Sequence, residues 1–189
     1  MLILEKKIIL ASASPRRSFL LTEMGIDHEV RKYDFKEDII SETPPNLTSL
    51  FLAEEKARQI PSFSNNELII TADTVVVTNN TVLGKPKNEM EAISFLNLLS
   101  GSKHQVISGV ALTTKEKQLS FKVSSNVFFK SLSKNEISYY IKNYKPYDKA
   151  GSYGIQEWIG MIGISKIEGS YFNIMGLPTV ELFEALSTF

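Results

Sequence analysis

The sequence predicts a mixed α/β fold, a β-sheet flanked by helices, on three observations. Strand-like and helix-length stretches alternate along the whole chain. The run ELIITADTVVVTNNTVLG at 67–84 is dense in β-branched residues. Serine, asparagine and proline stand at cap positions where helical periodicity begins.

Taken in order, KIILA at 7–11 reads as a first strand that breaks into SASPRR. Ser14 is placed to cap a helix, Pro15 suits its first position and Gly25 its C-terminal stop. The polar stretch 34–46 holds Pro44 and Pro45 and reads as a loop. A second helix follows, with Leu47, Leu50, Ala53, Ala57 and Ile60 near helical spacing and Lys56 at its apolar border. Within the β-branched run, Asn79 and Asn80 predict a tight hairpin turn. Asn88 with Glu91, and Ser133 with Glu136, have capping-box spacing, and Gly101 supplies a stop between them. HQVISGVALTT and LSFKVSSNVFF read as paired strands, and a terminal helix begins near Pro178.

The 189 residues and 43% apolar content fit one large domain over 1–189 or two closely joined lobes, and composition marks no division between lobes. The 21 basic and 21 acidic residues cancel, so no global field recruits nucleic acid, while a local basic pocket could still hold a small polyanion. With no cysteine and two distant histidines, His28 and His104, sulfur- and histidine-built metal sites are not expected. Oxygen-ligated magnesium or manganese remains open. The N-terminal segment lacks signal-peptide order and no apolar run reaches spanning length, so cytoplasm is the expected compartment, with no membrane partner.

Several residue patterns bear on chemistry. In SASPRR, Arg16 and Arg17 would occupy the second and third positions of a helix, where free amides and the helix dipole disfavour cations. A bound phosphate resolves that conflict, and surface pairing with acids is the alternative. Ser12 adds a donor to the same turn. Asp73 interrupts IITADTVVV and would share a strand face with Ile69, Thr71 and Val75. It is a candidate to activate water or bind a metal, against a purely hydrogen-bonded structural role. Glu37 in KEDIISE is a weaker acidic candidate. Lys85 in LGKP could meet phosphate or be an exposed turn lysine. KAGSYGIQ concentrates Lys149, Gly151, Gly154 and Gln156, suited to close backbone approach or to a loop without ligand. Trp158 reads as core packing, with a platform for the nucleotide base as the alternative, and His104 as a structural residue, with a general base as the alternative. Neither a P-loop nor a dinucleotide fingerprint is present.

Together, ASASPRRSFLL, LAEEKA, TADTVV, LGKP, LSGSKH, DKAGSYGIQ and GSYFNIMGLP resemble the Maf family of nucleotide pyrophosphatases, in motif order and over nearly the whole chain. The PRR and KAGSYGIQ forms are similar to the branch acting on dTTP and UTP. The resemblance implies an elongated mixed sheet flanked by helices, two lobes around a deep cleft, a divalent cation, Mg2+ or Mn2+, and a homodimer. It implies hydrolysis of a nucleoside triphosphate to the monophosphate and pyrophosphate, with CTP and modified pyrimidine triphosphates as further candidate substrates. It places Ser12, Arg16, Arg17, Lys56, Lys85 and Gln156 at the substrate. Asp73, Glu37 and Lys85 would be catalytic, and Glu37 and Asp73 would be the metal ligands. Two positions depart from the family pattern: Glu157 stands where glycine commonly follows IQ, and Ser125 where threonine is frequent. The alternative function is a noncatalytic nucleotide-binding regulator of septum formation or cell division.

Overall fold

The computed structural model describes residues 5–36 and 43–189. It has one mixed sheet, in the strand order β2-β1-β3-β5-β6-β7, with β4 paired to β3. The strands are β1 (Lys7–Leu10), β2 (Glu29–Val30), β3 (Glu67–Thr78), β4 (Thr81–Leu83), β5 (Lys103–Thr113), β6 (Gln118–Phe129) and β7 (Ile164–Glu168). The helices are α1 (Pro15–Glu23), α2 (Thr48–Arg58), α3 (Glu89–Leu99), α4 (Lys134–Tyr144), α5 (Trp158–Gly163), α6 (Tyr171–Met175) and α7 (Thr179–Thr188). β1 runs parallel to both β2 and β3, whereas β3 with β4 and β6 with β7 are antiparallel. The expected α/β sheet with flanking helices is therefore the observed fold. Among the described residues, no helix is long and apolar enough to cross a membrane.

The chain divides into two compact units. The first comprises Met1–Thr74, Ser108–Val123 and Gly176–Phe189. Its parallel β1 and β3 require crossovers, and helical segments supply them. Ile9, Ala11, Ile60 and Ile69 form one of its apolar clusters, against Tyr33, Phe35 and Phe63. Here Gly109 lies against the first turn of α2: a Cβ at this position would sit 2.4 Å from the Ser49 carbonyl carbon. Only a residue without a side chain lets the strand backbone approach the helix backbone so closely.

The second unit comprises Val75–Ile107 and Ser124–Met175. The hairpin between β3 and β4 turns on Asn79 and Asn80, both left-handed at φ 47° and 57°. Successive positive φ values are what a two-residue turn between twisted strands requires, and asparagine tolerates them. α3 is capped by Asn88, whose side chain accepts from the Glu91 amide. Glu91 reaches the Lys87 amide rather than that of Asn88, so the predicted box is formed one residue out of register. The box at α4 is complete, with Ser133 and Glu136 bonding reciprocally. Val76, Leu96, Leu99, Val127, Tyr140 and Ile159 lie in the core cluster of this unit, and Trp158 packs on it as expected of a structural tryptophan.

His104 is buried in the same unit, 1% exposed, with Nε2 2.7 Å from the Tyr153 hydroxyl and its ring stacked on Phe129. Burial pulls its pKa down from 6.5 to about 4. The folded state therefore refuses a proton that the unfolded chain accepts. The associated stability is fully present above pH 6.5 and is lost as pH falls toward 4, about 3 kcal/mol in all. Urea unfolding at pH 7 and at pH 4.5 measures this slope, and His104→Gln flattens it. An equally steep loss in the variant would assign the acid sensitivity to other groups.

Candidate active site

In the first unit the turn between β1 and α1 carries the SPRR sequence. Ser14 occupies the N-cap position with extended backbone, but its side chain makes no cap bond. The hydroxyl that organises the turn belongs to Ser12, which accepts from the Ser14 amide at 3.2 Å. Pro15 stands at the first helical position, as predicted, so Arg16 and Arg17 take the second and third. Both are half-buried. Ser12 is nearly enclosed at 8% exposure.

Arg17 extends from this turn into a dense set of acceptors. Nη1 donates to Ser12 Oγ at 3.1 Å and to the Ala72 carbonyl at 2.9 Å, and Nη2 donates to Thr74 Oγ1 at 3.2 Å. Nε donates to the Gly176 carbonyl at 2.9 Å. Thr74 Oγ1 is itself 2.8 Å from Ser108 Oγ. Three separate stretches of sequence are thereby tied to one guanidinium.

Asp73 lies between Ala72 and Thr74 on β3, 9% exposed. The predicted strand parity is visible in the bonds. Thr71 Oγ1 donates to the Ala53 carbonyl and Asp73 Oδ1 accepts from Lys56 Nζ, both partners being on α2. Lys56, read from sequence as bordering the apolar face, is buried at 6% exposure and forms a 2.6 Å ion pair with Asp73. A buried charge needs such a partner, and each of these two supplies it for the other.

In the second unit, Lys85 is exposed on the stretch after β4, and the Gly84 carbonyl next to it accepts from the Gly151 amide at 3.1 Å. That bond sets LGKP beside KAGSYGIQ. Gln156 is half-buried on the latter. Glu157 accepts from the Tyr140 hydroxyl and pairs with Lys149 Nζ at 3.0 Å, while Lys149 also meets Asp148 at 2.7 Å. Tyr140 in turn accepts from the Gly154 amide at 3.0 Å. Burial, reinforced by the Glu157 carboxylate, pushes the Tyr140 phenol above its usual pKa, so it remains a donor. The acidic departure at 157 is thus an anchor for the loop that carries Gln156. Ser125 also has a defined role: it is 1% exposed, accepts from the Ser170 amide and from Asn173 Nδ2, and holds the start of GSYFNIMGLP.

The structure gathers Ser12, Arg17, Lys56 and Asp73 within the first unit, with Arg16 on the same turn, and Lys85 with Gln156 on adjoining loops of the second. Glu37 lies outside the described residues. Among the described residues, no group of three or more His, Cys, Asp or Glu side chains converges as a metal cluster. Sequence reasoning missed Thr74, Ser108 and Gly176, and the ties through Tyr140 and Lys149. Their signals lay only in neighbouring motifs, with no local pattern linking them.

Comparison with known proteins places these motifs in context. The profile of the family described as Maf-like protein matches residues 7–189. A dTTP/UTP pyrophosphatase of Phocaeicola vulgatus is 52% identical over 97% of this chain and 96% of its own. Those of Parabacteroides distasonis and Bacteroides fragilis are 49% and 48% identical, over 97% and 95% of this chain and 96% and 94% of theirs. A match of this extent, on a chain that carries the motifs in order and the expected mixed sheet, makes it a member of the Maf-like family.

Proposed function

We propose that the chain is a nucleoside triphosphate pyrophosphatase acting on dTTP and UTP. The observation that carries this reading is the buried Lys56–Asp73 pair, on a strand whose neighbouring residues are tied to the SPRR turn. It is supported by the activity named for relatives of 48–52% identity. In this reading water attacks the α phosphorus, and the bond from that phosphorus to the bridging oxygen breaks. Pyrophosphate leaves with the bonding pair. Asp73 accepts the proton of the attacking water, and Lys56 holds the carboxylate in place. Ser12, Arg16, Lys56 and Lys85 bind the phosphate chain and offset its charge, with Arg17 in the same turn, and Gln156 orients the nucleotide.

Asp73, with Glu37, would hold a divalent cation. The donor set fits: Asp73 commits Oδ1 to Lys56 and has a second oxygen, and magnesium needs only one or two carboxylates besides substrate phosphates. Bound there, Mg2+ or Mn2+ would neutralise phosphate charge and acidify water. A homodimer and a cytoplasmic location complete the reading.

The test is release of pyrophosphate from dTTP and UTP by purified protein, with and without a chelator, in oxygen-18-labelled water. Chelator-sensitive release with label in the monophosphate is expected. Label confined to pyrophosphate would move the attack to the β phosphorus. Saturable nucleotide binding without release would instead make the chain a noncatalytic nucleotide-binding regulator.

A further inference from the structure

The Arg17 network assigns that residue a task different from phosphate binding. We propose that Arg17 is a positioning residue, whose guanidinium fixes both chain neighbours of Asp73 against the Ser12 turn and the Gly176 reversal. This rests on the pyrophosphatase reading above for the meaning of Asp73. A guanidinium presents five N–H donors in a planar fork. Here the fork spends bonds on the Ala72 carbonyl and the Thr74 hydroxyl, the residues on either side of Asp73. The Asp73 side chain emerges on the opposite strand face, toward Lys56. The strand is therefore gripped from one side by Arg17 while its carboxylate is held on the other by the lysine.

The remaining contacts make the grip rigid. Ser12 Oγ, bonded by Nη1, also accepts from the Ser14 amide, so the fork is registered to the start of α1. Thr74 Oγ1 accepts from Nη2 and lies 2.8 Å from Ser108 Oγ on β5, to which it can donate. The Gly176 carbonyl accepts from Nε where the backbone has φ +129°, a conformation that L side chains rarely adopt. A Cβ there would meet Arg17 Nε and Thr74 Oγ1 only at 3.9 Å, so conformation and not space requires the glycine. Four of the five N–H donors are thus committed to acceptors within the protein. Arg16 stands about 100° round the helix from it and projects in a different direction.

Positioning and phosphate binding separate in kinetics. A ligand to the phosphates acts on binding, whereas a residue acting through Asp73 acts on turnover. Arg17→Lys keeps the charge and loses the fork. The expected result is a kcat lower by about 10²-fold with KM within about threefold. In an Asp73→Asn background the same change should add almost nothing, because the group it positions is already gone. A KM raised about tenfold with kcat retained, or an undiminished loss in the Asp73→Asn background, overturns the assignment. Should Arg17→Lys fail to fold, Thr74→Val removes one acceptor while keeping strand shape, and the same split is read on it: kcat falls and KM holds. If the parent chain binds nucleotide but releases no pyrophosphate, the pyrophosphatase reading fails by itself. Arg17 is then judged on the affinity for an α,β-methylene triphosphate analogue, unchanged in Arg17→Lys if it positions and about tenfold weaker if it binds phosphate.

Discussion

Asp73→Asn lowers kcat for dTTP by about 10²- to 10⁴-fold while leaving KM within a few-fold, the range expected when a positioned base is removed. The substitution is close to isosteric. The amide that replaces the carboxylate retains an oxygen able to accept from Lys56 Nζ, so the hydrogen bond can persist although the buried ammonium loses its counter-charge. What disappears is the capacity to take a proton from water and the negative charge that would attract a cation. Steady-state kinetics and an analogue titration distinguish these. Unchanged affinity for a nonhydrolysable triphosphate with collapsed turnover assigns Asp73 to the chemical step. Near-parental turnover from pH 6 to 9 would reject its role as base.

Much of the fold was legible because its signals are local. The Asn79–Asn80 turn, the Ser133–Glu136 box and the Pro15 start each depend on residues a few positions apart, and each formed where expected. The site was legible only in part. Asp73 stands out because a carboxylate inside a β-branched run demands a partner, and strand parity puts it on the face of Thr71, where both meet α2. The depth of Lys56 was not readable, since helical spacing says where a side chain points but not that a carboxylate 17 residues away will enclose it. The acceptors of Arg17 were not readable for the same reason. Two adjacent arginines at a helix start look equivalent by position, yet the acceptors that occupy Arg17 come from 55 and 159 residues along the chain. Glu157 departs from the family pattern by an acid whose partners, Lys149 and Tyr140, lie 8 and 17 residues away, beyond the reach of any local signal.

Removing Lys56 has the largest expected effect on stability. In Lys56→Met the ammonium goes and the aliphatic stem stays, so packing against α2 neighbours is largely preserved and the loss is electrostatic. Asp73 remains 9% exposed without the ammonium that paired with it at 2.6 Å. Breaking a buried pair from one side costs about 3–5 kcal/mol, because an uncompensated charge is left in a poorly solvating environment. The pair itself need not contribute that much. Replacing both members costs less than replacing one, since the double variant buries no orphan charge. Chemical denaturation should therefore rank Lys56→Met as the least stable of the set, with Lys56→Met/Asp73→Asn recovering a substantial share of the loss. If the two changes instead add, the ion pair contributes no coupling and the lysine must act through other contacts. The order also bears on function: a lysine kept for phosphate alone would be expendable for folding, whereas one that neutralises the base in its resting state cannot be removed without the strand that carries the base becoming less stable.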